Sequence, residues 1–89
     1  MISATERKRR QRESILEMYR RNYAKPFWQA YKEGNSKEMQ RRLALGDSFK
    51  RGVYMAAPYS RYGEAFNKID EELKKEIDED ALKRLTRMR

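Results

Sequence analysis

Arg7, Lys8, Arg9 and Arg10 stand consecutively, and Arg12 follows after a single glutamine. A run of this kind is suited to neutralising a polyanion. Guanidinium groups meet phosphate oxygens through paired N–H donors and stack on flat rings, which ammonium groups do less well. Arg20 and Arg21 follow about two helical turns after Arg12. Arg7, Lys8, Arg9, Arg10, Arg12, Arg20 and Arg21 are therefore the expected phosphate-contacting set, with nucleic acid or an acidic protein surface as the partner.

The same run is awkward for a helix standing alone. Each cation in a first turn opposes the helix dipole by about 0.3–1 kcal/mol. An anion laid alongside relieves both that cost and the repulsion among the cations. Residues 1–14 thus read either as an arm that orders on a partner or as a disordered, solvating terminus. In its arginine content the arm resembles the RNA-hairpin-binding peptides of phage antitermination proteins, a resemblance that implies Tyr19 as a base-stacking ring. A comparison with leucine-zipper basic regions fails, because residues 4–14 hold no Asn to read an adenine edge.

Aromatic residues alternate with cations in Tyr19-Arg20-Arg21-Asn22-Tyr23, Lys25-Pro26-Phe27-Trp28 and Tyr59-Ser60-Arg61-Tyr62. Rings beside cations are how single-stranded nucleic acid is often held. Leu, Ile, Val and Phe together number only 14 of 89 residues, however, so a core must draw on the rings as well. Phe27 and Trp28 are expected inside, leaving Tyr23 and Tyr59 as the exposed candidates.

Other chemistries find little support. With no Cys and no His, thiolate nucleophiles, imidazole bases and the usual zinc sites are excluded. The Gly46-Asp47-Ser48 turn and the Lys50-Arg51-Gly52 step do not make the Gly-rich phosphate loop, which needs a Gly-Lys-Ser/Thr ending after a strand. The carboxylates between Asp70 and Asp80 lack the calcium-loop pattern, and helical spacing scatters them around the axis. Acid/base catalysis by paired carboxylates requires a pocket that separates their pKa values, which so thin a core is ill placed to form. No catalytic residue, metal ligand or cofactor is expected, and the protein reads as non-enzymatic.

The elements that would position the arm follow from caps and breakers. Ser3 and Glu6 have capping-box spacing for a helix from Ala4 to about Tyr23, with Ile15, Leu16, Tyr19 and Tyr23 on its apolar face. Pro26 predicts a break and a new short helix ending at Gly34. Asn35-Ser36 offers an N-cap for a helix over 37–45, with Met39, Leu43 and Leu45 inward, closed by Gly46. A further short helix carries Phe49, Val53 and Tyr54 before Ala57-Pro58. From about Ser60 onward Tyr62, Phe66, Ile69, Leu73, Ile77, Ala81, Leu85 and Met88 form one stripe on a long amphipathic helix. Asp78-Glu79-Asp80 offers an alternative start for a separate last helix. The fold class is all-α, a small helical bundle or orthogonal array with a basic N-terminal helix, organised as an arm over 1–14 and one domain over 15–89.

Charge is polarised along this chain. Of the formal +8, residues 1–25 carry +5, residues 26–63 carry +4 and residues 64–89 carry −1. Residues 1–25 lack the apolar stretch of a signal peptide, and no run reaches membrane-spanning length. An intracellular protein is expected, in the cytoplasm, a host cytoplasm or a virus particle, with no membrane partner. Two functions remain open. One is nucleic-acid binding or regulation through the basic helix. The other is a protein–protein adaptor or viral assembly component docking through Tyr62, Phe66, Ile69, Leu73 and Ile77, with self-association allowed.

Overall fold

The computed structural model describes residues 3–87. Ser3 opens the first helix, its hydroxyl accepting from the Glu6 amide at 3.2 Å, and α1 runs Ala4–Tyr19. The chain does not break at Pro26. A π-helical segment, Arg20–Ala24, joins α1 directly to α2, Lys25–Glu33, and Lys25 keeps a helical backbone with its amide bonded to the Arg20 carbonyl. A proline inside a helix has no amide to offer, and its ring crowds the carbonyl four residues back. Widening the turn ahead of Pro26 accommodates both problems, so the helix continues where a break was expected.

Gly34 ends α2 in the left-handed conformation, at φ 71°, with its amide returned to Ala30 and Tyr31 carbonyls. Asn35 then caps α3, Ser36–Ala56, by accepting from the Glu38 amide at 3.2 Å. The expected stop at Gly46 does not occur, because α3 passes through both Gly46 and Gly52. Gly46 is buried, and a β-carbon there would lie 3.7 Å from the Tyr23 β-carbon. That is ordinary van der Waals contact, which an alanine would also make. Burial against Tyr19 and Tyr23, rather than a steric need for glycine, carries α3 through this position despite the poor helix propensity of glycine. Leu43 and Leu45, expected inward, face largely outward, and Met39 is half-buried. After a turn over residues 57–61, α4 runs Tyr62–Arg87 without restarting at Asp78.

Three long helical arms result: α1–α2 as one, α3 antiparallel to it, and α4 parallel to α1. The core sits where all three meet. Phe66 is completely buried, ringed by Tyr19 at 4.6 Å, Tyr62 at 5.8 Å, Tyr54 at 6.1 Å and Phe49 at 6.2 Å between centroids. Ile69 and Leu73 continue this packing, and Trp28 seals it from α2. Phe27 is half-buried and lies edge-on to Trp28, outside the central cluster.

Beyond that middle the helices part company. The radius of gyration is 16.0 Å, against about 12 Å for a compact chain of this length. The exposed surface is 7444 Å², where a compact protein of this mass presents roughly 5500 Å². Much of the excess lies at two overhangs, the first turns of α1 and the last turns of α4. Along the α4 stripe Tyr62, Phe66, Ile69 and Leu73 are buried, Ile77 is half-buried, and Ala81 and Leu85 are exposed. Met88 lies outside the described residues. Among the described residues no helix is long and apolar enough to cross a membrane.

Candidate nucleic-acid interface

α1 is continuous through residues 14 and 15, so the basic arm is the first half of a helix whose second half is anchored in the core. One arm residue does the anchoring. The Arg12 guanidinium donates to the Ser60 carbonyl at 2.6 Å and lies 4.8 Å from the centre of the Tyr62 ring. That clamp fixes the α3–α4 turn against α1. Beside the clamped carbonyl Arg61 adopts φ 52°, a left-handed backbone that side chains with a β-carbon rarely take. Across the same turn the Tyr59 ring is 96% exposed. Basic arm, exposed ring and Arg61 are thereby brought to one end of the molecule, although some fifty residues separate them in sequence.

The expected phosphate-contacting set divides into three groups. Arg7 and Lys8 are exposed and have no carboxylate partner among the described residues; Arg9 and Arg10 make only exposed i, i+4 pairs, at 3.9 Å to Glu13 and 3.5 Å to Glu6. Pairs of that kind contribute at most about 0.5 kcal/mol, so a phosphate displaces them readily. Arg12 is engaged as the clamp. Arg20 and Arg21 lie further along the chain: Arg20 reaches α4 and pairs with Glu72 at 3.6 Å, whereas Arg21 makes only an exposed i, i+4 pair with Glu17 at 3.5 Å, of the same kind as those of Arg9 and Arg10.

The proposed docking stripe also changes character. Tyr62, Phe66, Ile69 and Leu73 are consumed by the protein's own core, so an outside partner has no access to them. Tyr19 is likewise 4% exposed and unavailable to stack a base, and Tyr23 packs on Phe49 at 4.8 Å. Of the rings expected to be exposed, Tyr59 alone remains fully in solvent.

A polar centre that the sequence did not signal ties the helices together beside this core. The Asp70 carboxylate on α4 accepts from the Tyr19 hydroxyl at 2.8 Å and from the Trp28 indole N–H at 3.0 Å. The Lys50 ammonium on α3 stands 3.9 Å from the same carboxylate and 5.1 Å from the centre of the Tyr19 ring. Burial, reinforced by the hydrogen bond to Asp70, pushes the Tyr19 phenol far above its ordinary range. Every partner is satisfied, and among the described residues no buried side-chain polar atom lacks one. Such a centre fixes the register of the three arms. Further out, hydrogen bonding to Arg42 at 2.6 Å holds the Glu38 carboxyl below the usual carboxylate range, stiffening the start of α3. Among the described residues no group of carboxylates is arranged to hold a metal ion.

Fold and surface together define an all-α, three-armed helical protein with its densest run of cations at one end. No protein family matches the chain, and neither a characterised protein nor a solved structure shows significant similarity to it.

Proposed function

We propose that this is a small, non-enzymatic nucleic-acid-binding protein whose contact surface is the basic end of the bundle. The observation that carries the reading is the convergence there of unpaired or weakly paired cations with a fully exposed ring. Arg7, Lys8, Arg9 and Arg10 neutralise phosphates, Arg61 adds a fifth cation, and Tyr59 offers a stacking face. Arg12 acts on the interface indirectly, holding the turn that carries Tyr59 and Arg61. Because the cations surround the α1 circumference, the arm has no single base-reading edge. Affinity then comes chiefly from the phosphate backbone, with modest sequence preference.

Salt dependence tests this directly. With five cations on duplex phosphates, log K falls against log salt with a slope near −4.5, and for single strands near −3.5. Fluorescence anisotropy with labelled duplex DNA, single-stranded DNA and RNA measures it. A slope shallower than about −1 on all three contradicts the proposal.

A further inference from the structure

Two features at opposite ends of the molecule are each incomplete, and their chemistries match. The first is a groove of about 920 Å³ between the first half of α1 and the end of α3. Ile15, Phe49, Val53 and Ala56 give it an apolar floor, and Lys8 and Arg9 stand on its α1 wall. The second is the overhang of α4. Every residue from Asp78 to Arg87 is exposed, with Leu82 and Leu85 each leaving 65% of their surface in water. At 3.6 residues per turn Ala81, Leu82 and Leu85 share an arc of about 100°. Asp78 falls inside that arc, whereas Lys83 and Arg87 fall on the opposite side. On the overhang the exposed apolar face thus carries a single carboxylate, Asp78, with Glu79 and Arg84 at its two edges, and the groove carries Lys8 and Arg9 on its wall.

One chain cannot bring the two together. α4 starts beside the groove at Tyr62 and runs away from it, in a molecule 57 Å long. We infer that the α4 overhang of one copy docks in the α1–α3 groove of a second copy, with Leu82 and Leu85 on the apolar floor and Asp78 against Lys8 and Arg9. Each copy then offers one groove and one overhang, so the contact is head-to-tail and builds chains or rings. A helix of ten residues buries less than a standard interface, which makes each contact weak and concentration-dependent. Arg7 and Arg10 face away from the groove by helical spacing and stay open to phosphate in the assembly. The inference stands whether or not the arm binds nucleic acid.

Sedimentation velocity on nuclease-treated full-length protein tests it, with no nucleic acid present. The average mass of the unaltered chain rises with concentration. Leu82→Asp with Leu85→Asp weakens association by about a hundredfold or more. Lys8→Glu with Arg9→Glu weakens it by about tenfold. These four side chains are exposed, and circular dichroism verifies that both variants stay folded. The overhang variant keeps an intact groove and the groove variant an intact overhang. Mixed in equal amounts, they pair one-to-one through the intact groove and the intact overhang, and growth past that dimer is about tenfold weaker. A mass that stays monomeric at every concentration overturns the inference. So does association that either double variant leaves untouched, or a mixture that restores no pairing.

Discussion

At Phe66, α4 is enclosed by Tyr19, Phe49, Tyr54 and Tyr62; about four turns later, at Leu82 and Leu85, it has water on all sides. α1 shows the same contrast in reverse, free over its first turns and engaged from Arg12 onward. The middle of the bundle concentrates rings and the Asp70 centre, and there the sequence spends most of its few apolar residues. The ends keep charge and a few uncovered leucines. On the proposed reading, stability belongs to the middle and recognition to the ends, and substitutions separate the two.

Phe66→Ala has the largest expected effect. Removing a fully buried ring from the contact point of all three helices costs about 3–5 kcal/mol. For a chain this small that is enough to abolish a cooperative transition in urea melts followed by circular dichroism. Asp70→Ala comes next at about 2 kcal/mol, since it strands the Tyr19 hydroxyl and the Trp28 indole N–H together. The Tyr19 phenol is held neutral in the folded state, so the unfolded chain loses that proton first, near the ordinary phenol value of about 10. Its contribution is complete below that pH and declines above it. Urea midpoints measured between about pH 9 and pH 11 fall less steeply in Tyr19→Phe than in the unaltered chain.

At the basic end the effects move from stability to binding. Arg7→Ala with Arg10→Ala leaves the urea midpoint within about 0.5 kcal/mol of the original. The same pair weakens duplex binding by about tenfold and reduces the salt slope by about two, equally for unrelated sequences. The smallest expected change is a gain. A β-carbon at Gly52 meets nothing within 4 Å, so Gly52→Ala stabilises α3 by about 0.5–1 kcal/mol in thermal melts. A loss there would mean that α3 is two helices meeting at a glycine.

Local signals in the sequence located what local physics decides. Ser3, Gly34 and Asn35 cap as their residue types require, Pro58 interrupts the chain, and the period of α4 gives its buried face. Continuity across Pro26 was hidden, because a π turn leaves no mark in residue type. Gly46 read as a stop because nothing near it in sequence shows that it is buried against Tyr19 and Tyr23. Periodicity told which face of α4 is apolar but not how far its neighbours extend, so the stripe was legible and its half-empty state was not. Asp70 is one carboxylate among several on α4, and nothing near it in sequence announces Tyr19, Trp28 and Lys50 as partners. The arm itself was plain in the sequence. That Arg12 is a clamp and Arg20 is bridged to α4 depends on residues some fifty positions away.

An NMR titration of the labelled protein with a short duplex and a short single strand tests the central claim most directly. Backbone and side-chain shifts should gather at residues 7–12 and 59–61, while α2 and the Asp70 centre stay unmoved. Shifts concentrated on α2 or on the far half of α4, or none at all at low salt, would contradict it.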